Sequence, residues 1–188
     1  MDHYLDIKLL PDPEFPVPML MNALFTKLHR ALVQLDNKHI GVSFPKVDQK
    51  KIHMGNVLRL HGSAQHLQQL QEQNWLKGMR DHTEQSEIAP VPDHAEHYRV
   101  SRKQVKSNAV RLRRRYLKRH PEVTDKDAEG LIPDTLEKRL DLPYLQLKSN
   151  STGQQFRLFL IHQSAQAQVT EGEFNSYGLS TNATVPWF

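Results

Sequence analysis

MLMNALFTKLHRALVQL, residues Met19 to Leu35, is the stretch on which the fold turns. With Leu28 at zero on a helical wheel, Leu20, Met21, Leu24, Phe25, Ala31, Leu32 and Leu35 fall within about 80° of it. Such a broad apolar stripe marks a helix laid against a core. His29 stands about 100° round the wheel, on the rim of the stripe. A histidine there is ordinarily a packed or solvated bystander, and it acquires chemical meaning only with partners.

Upstream of this helix, Tyr4 to Leu10 (YLDIKLL) alternates as a strand and runs into PDPEFPVP, whose prolines forbid regular structure. Downstream, HIGVSF (His39 to Phe44) and NVLRLHG (Asn56 to Gly62) read as two strands. A second helix begins at an N-cap on Ser63, continues through LQQLQEQNWL and stops near Gly78. An extended segment over Glu87 to Val91 then reaches the turn PVPD. The order strand, helix, strand, strand, helix, strand (βαββαβ) is that of the ferredoxin-like split βαβ, which also underlies the RNA-recognition motif and many proteins that bind no RNA. The expected fold class is therefore α+β, with residues 1–94 as a ferredoxin-like domain. A shift in composition after Pro90 places a boundary near residue 95. Residues 95–188 are expected to form a smaller α+β domain with a basic helix over 108–120, an acidic helical piece (TDKDAEGLIPDTLEKRL) and an apolar strand from Gln155 to Ile161.

The charge is concentrated in one place. Residues 97–121 hold ten Lys and Arg and no Asp or Glu, so the rest of the chain carries 15 basic against 21 acidic residues. Within RLRRRYLKRH, Arg111 to His120, the residues Arg111, Arg114, Arg115, Lys118 and Arg119 share one side of a helix. Ala109, Val110, Leu112, Tyr116 and Leu117 fill the other, with Arg113 intruding among them. Ser107 or Asn108 can cap its start, and Pro121 enforces its end. A solvated helix face normally mixes charge signs at i,i+4, because like charges there repel. An unmixed face fits phosphate binding better, and its apolar residues are needed inward, which disfavours a membrane-surface helix. Charge alone does not choose between DNA and RNA.

Several classes of function are excluded or disfavoured. Without cysteine the chain has no disulfide, thiolate catalyst or cysteine-ligated zinc, which fits a reducing cytoplasm. No apolar run approaches the roughly 20 residues of a membrane span, and the N-terminus lacks the pattern of a signal peptide, so the protein reads as cytoplasmic. There is no G-x-S-x-G elbow, P-loop or H-E-x-x-H helix. Asp93, His94, Glu96 and His97 offer at most a weak metal pair, better explained as loop polarity. In KSNSTGQQF, Ser149, Ser151, Thr152 and Gly153 form a hydroxyl-rich turn. Such turns commonly shape backbone and can also hold phosphate oxygens.

Taken in order and spacing, MDHYLDI, LFTKLHRAL, GVSFP, VSRKQVKSN, RLRRRYLKRH, IPDTLEKRLDLPY, STGQQFRLF and the terminal VPWF resemble the CRISPR-associated endoribonucleases of type I-F systems, the Cas6-type enzymes that cut precursor repeat RNA. The resemblance spans essentially the whole chain. It implies a catalytic histidine at His29, an active-site serine at Ser149 and a tyrosine set against the histidine at Tyr177. It further implies that Arg102 and Gln104 read base edges low in a repeat hairpin, that Phe156 stacks on the terminal base pair, and that the arginine-rich helix enters the hairpin's major groove. Lys106, Ser107, Arg111, Arg114, Arg115, Lys118, Arg119, Ser151 and Thr152 complete the expected RNA-binding set. Lys118 stands where the family is expected to carry arginine, so a point charge replaces a planar fork there.

The activity so implied is metal-independent and needs no cofactor. His29 would take the proton of a ribose 2′-OH positioned by Ser149, and the cut would leave a 2′,3′-cyclic phosphate and a 5′-OH. The expected partners are the CRISPR repeat RNA stem-loop (the crRNA) and the other subunits of a type I-F surveillance complex, with the protein by itself a monomer and no membrane involved. The competing reading is a non-catalytic RNA-hairpin-binding module.

Overall fold

The computed structural model describes residues 1–48, 50, 52–104, 109–133, 140–149, 152–164 and 169–188. It is a mixed α+β protein, with two antiparallel sheets and four α-helices among those residues. The chain divides into two compact units, Met1–Lys103 with Leu142–Phe188, and Gln104–Asp141.

In the first unit, β1 (His3–Leu9) is followed by α1 (Val17–Leu35), which opens with proline in its first turn, where a missing N–H costs nothing. The stripe read from sequence is the face that goes inside: Leu20, Met21, Leu24, Phe25, Leu28, Ala31 and Leu32 are all buried. They join Leu5, Ile7, Leu9, Val42, Leu58 and Leu60 from the first sheet. That sheet runs in the order β2 (Gly41–Ser43), β3 (Val57–Gly62), β1, β4 (Thr83–Gln85). The extended segment expected over Glu87 to Val91 holds only the short β5 (Ala89–Pro90), and the unexpected β4 precedes it; both pair with β1.

The second helix, α2 (Ala64–Glu72), is capped as expected by Ser63, whose Oγ accepts from the His66 N–H at 3.2 Å. It ends six residues before Gly78, because Asn74 takes the left-handed conformation at φ 50°, which asparagine tolerates better than most residues. Trp75 and Leu76 then turn into the core.

The second sheet was largely invisible to pattern reading. It runs β7 (Tyr144–Lys148), β8 (Gln155–Ser164), β6 (Glu96–Lys103), β9 (Val185–Trp187), and only β8 was anticipated. In β6, EHYRVSRK, Val100 is the one fully buried side chain, so no apolar alternation announces a strand. Leu145, Leu147, Leu158, Leu160, Val100 and Val185 put one face of this sheet into the same core as the first.

The second unit contains α3 (Ala109–Arg119) and α4 (Asp125–Leu131), the latter capped by Thr124, whose hydroxyl accepts from the Asp127 N–H. Residues 134–139, the end of the expected acidic helix, lie outside the described residues, as do the caps expected at Ser107 and Asn108. Among the described residues no helix is long and apolar enough to cross a membrane.

Candidate active site and RNA-binding surface

His29 projects from the rim of α1 into a cleft of about 250 Å³ that is also lined by Thr26, Leu147, Ser149, Phe156 and Tyr177. Three residues far apart in sequence, His29, Ser149 and Tyr177, therefore meet. Each is held by a different local device.

The histidine is oriented by the loop before β9. Its Nδ1 lies 2.8 Å from the Ser176 carbonyl oxygen. A carbonyl can only accept, so Nδ1 carries the hydrogen, and in the neutral ring Nε2 is left with the lone pair. The Tyr177 ring stacks on the imidazole, with centroids 4.0 Å apart and planes within 4°. The Phe25 ring also lies parallel to that of Tyr177, with centroids 6.3 Å apart. The imidazole is thus fixed in plane by stacking and in rotation by its hydrogen bond.

The loop that does this is itself built by Asn175, a residue the sequence reading passed over. Its Oδ1 accepts from the N–H groups of Tyr177 (2.9 Å) and Leu179 (3.2 Å), and its carbonyl accepts from Gly178 N–H at 2.8 Å. Asparagine with glycine three positions on is a turn signal, and that signal was available in NSYG. Gly178 is left-handed at φ 69°, and a Cβ there would lie 2.6 Å from Cγ1 of Val42. Gly178→Ala should therefore cost roughly 2–4 kcal/mol, from left-handed strain plus overpacking. We expect the melting temperature to fall by roughly 5–15 °C, a thermal scan being the check; an unchanged melting temperature would mean the turn relaxes freely.

Ser149 directly follows β7, at the start of the connection to β8. Its backbone N–H donates to the Gln154 carbonyl (2.9 Å), its carbonyl accepts from Gly153 N–H (2.8 Å), and its Oγ accepts from Thr152 N–H at 3.3 Å. Gly153 closes this turn at φ 68°, which glycine adopts without strain. Thr152 is exposed on it, while Ser151 lies outside the described residues.

Phe156, on β8 opposite Leu147, forms the next part of the cleft wall. The exposed Arg102 of β6 stands over its ring, with the guanidinium carbon 5.9 Å from the centroid. Two residues expected to act on the same base pairs are thus neighbours. Gln104, exposed, belongs to the second unit, and Lys106 and Ser107 lie outside the described residues.

Within the second unit the helical wheel is largely reproduced. Arg111, Arg114, Arg115, Lys118 and Arg119 are exposed, and Leu112, Tyr116 and Leu117 are half-buried. Val110 departs from the wheel and is 56% exposed. The intruding Arg113 is explained by α4: its Nε donates to the Ile132 carbonyl at 2.8 Å and it sits 4.0 Å from Glu129. Among the described residues, none of the five exposed cations has an acid within ion-pair distance, and Arg111, Arg114, Arg115 and Lys118 line one shallow depression. Among the described residues that surface is positive without compensating acids. No group of three or more His, Cys, Asp or Glu side chains is placed to hold a metal ion among the described residues.

The likeness to known proteins runs the whole length of the chain. It is 50% identical over 188 residues, covering all of both chains, to the CRISPR-associated endonuclease Cas6/Csy4 of Pseudomonas aeruginosa (strain UCBPP-PA14). It is 49% identical, again over the full length of both, to the protein of the same name from Escherichia coli (strain UTI89 / UPEC). Residues 4–188 match the model of the CRISPR-associated protein (Cas_Csy4) family, and to that family this chain belongs.

Proposed function

We propose that the protein is an endoribonuclease that cuts CRISPR precursor RNA at the base of the repeat stem-loop and keeps hold of the hairpin it has made. The observation that carries this reading is the hydrogen bond from His29 Nδ1 to the Ser176 carbonyl, which leaves Nε2 to act as the base on a residue that lines one cleft with Ser149. In the reaction, Nε2 takes the proton from a ribose 2′-OH held by the Ser149 hydroxyl. The 2′ oxygen bonds to the adjacent phosphorus, the P–O5′ bond breaks, and the departing 5′ oxygen takes up a proton. The products are a 2′,3′-cyclic phosphate and a 5′-OH. Imidazole can do this proton work alone, so the mechanism assigns no step to a metal.

Tyr177 holds the imidazole plane. Phe156 offers a stacking face for the last base pair, and Arg102 a fork that matches guanine O6 and N7. Gln104 matches adenine N6 and N7. Arg111, Arg114, Arg115, Lys118 and Arg119 neutralise hairpin phosphates, and Lys106, Ser107, Ser151 and Thr152 complete the RNA-binding set. We take residues 1–94 as a ferredoxin-like domain, supported by the order β2-β3-β1-β4 and by the place of α1 and α2 between its strands in the chain, and 95–188 as the part that binds the hairpin. The protein acts as a monomer in processing and afterwards as one subunit of a type I-F surveillance complex.

The test is incubation of the purified protein with end-labelled repeat RNA in excess EDTA, with the product termini analysed. One discrete cut ending in a cyclic phosphate is expected. Tight binding with no cut would leave a hairpin-binding module instead.

A further inference from the structure

Among the described residues β7 is an outermost strand of the second sheet, so alternate backbone N–H groups along it face no strand there. The amide of Gln146 is one of them, and it is taken by a side chain: its N–H donates to Oδ1 of Asn22 on α1, at 2.9 Å. Asn22 is half-buried in the middle of the helix, where asparagine is less favourable than alanine by roughly 0.6 kcal/mol. Its own carbonyl accepts from the Thr26 hydroxyl at 2.7 Å, and Thr26 is part of the cleft wall.

The position of this cross-tie is informative. From Asn22 to His29 is seven residues of helix, a rise of about 10.5 Å. From Gln146 to Ser149 is three residues of strand, about 10 Å. Starting from the tie, helix and strand therefore advance by nearly equal lengths to two side chains that line the same cleft. On the other side of the tie, Asn22 and Gln146 themselves border a separate, mainly apolar groove of about 840 Å³. The tie thus borders the groove directly and reaches the cleft through Thr26.

We propose that Asn22 is a positioning residue for the cleavage reaction: by holding the free edge of β7 to α1, it sets the register between the base on the helix and the serine at the strand's end. This rests on the reading of His29 and Ser149 as catalytic. Loss of the bond leaves the edge of β7 free to slide or fray along the helix, and a displacement of about 1 Å can cost up to a hundredfold in rate.

Asn22→Ala tests it, since alanine favours the helix and should not unfold it. Single-turnover cleavage by the variant should fall about tenfold or more, while affinity for a repeat RNA made uncleavable by a 2′-deoxy substitution stays within about twofold. Hydrogen exchange of the Gln146 amide should accelerate. Asn22→Asp, which keeps an acceptor oxygen at the same place, should recover most of the rate. Wild-type cleavage in Asn22→Ala, or equal impairment in Asn22→Ala and Asn22→Asp, would overturn the proposal. So would a loss confined to RNA affinity. If the wild-type protein itself does not cut, the catalytic reading has failed rather than the tie.

Discussion

His29→Ala should lower the rate of repeat-RNA cleavage by two to four orders of magnitude and leave hairpin affinity close to that of the wild type. The range follows from what a positioned general base contributes to proton transfer. The other walls of the cleft keep their place without the histidine, because Phe156 is held on β8 by its pairing with β7. Binding is expected to survive for the same reason. The exposed cations of α3 and the Arg102–Phe156 pair use no atom of the histidine. The check is a single-turnover assay with enzyme in excess, beside a titration of RNA carrying a 2′-deoxyribose at the cut. Full-rate cleavage by the variant would place the base elsewhere. A parallel loss of affinity would make the histidine a binding residue.

Position in the sequence decided what could be read before the structure. The inward face of α1 is legible because a helix laid on a core must repeat its apolar residues at 3.6-residue spacing: seven of the eight residues on the wheel's stripe are buried, and Leu35, at the helix end, is partly buried. The exposed cations of α3 were legible for the complementary reason. The strands β6, β7 and β9 were not: they are short or have few buried side chains, and their pairing is set by partners up to some ninety residues away. The site shows the same division. Residue type drew attention to His29, yet its orientation depends on Ser176, a carbonyl that no side-chain pattern reports, and on a turn organised by Asn175. A backbone group acquires a role only when the fold brings a side chain to it, so Ser176 and the amide of Gln146 had to wait for coordinates.

Function and fold also draw on the chain's histidines in opposite ways. His29 is half-buried and hydrogen-bonded at the edge of a cleft, whereas His61 and His162 are interior residues. His61 is fully buried on β3, its Nε2 2.8 Å from the Ser43 hydroxyl and its Nδ1 unpartnered among the described residues. Burial, with a smaller contribution from nearby Arg59, pushes its pKa down to about 3. His162, edge-on to Phe44 and Trp187, is pushed down to about 4 by burial.

Both rings should therefore make the fold acid-sensitive well above the range where carboxylates titrate. In the unfolded chain they bind protons near pH 6.5, and in the folded protein only near pH 4 and pH 3. Between these limits the unfolded state holds more protons, so stability rises with pH. It is fully present above about pH 6.5 and is lost as pH falls toward the folded values. At about 1.4 kcal/mol per pKa unit, each ring accounts for on the order of 3 kcal/mol by pH 4, and the two together approach a typical domain's whole stability. Urea unfolding at intervals from pH 7 to pH 4 should show this slope. His61→Gln, which keeps a polar group within reach of Ser43, should lower stability at pH 7 yet flatten the acid limb by about one proton, or roughly 1.4 kcal/mol per pH unit between pH 6 and pH 4.5. The comparison lies in the slopes rather than the absolute stabilities, so a generally weakened variant remains informative. An identical slope in the variant would mean that water reaches the ring and that His61 titrates in the folded protein as it does in the unfolded chain.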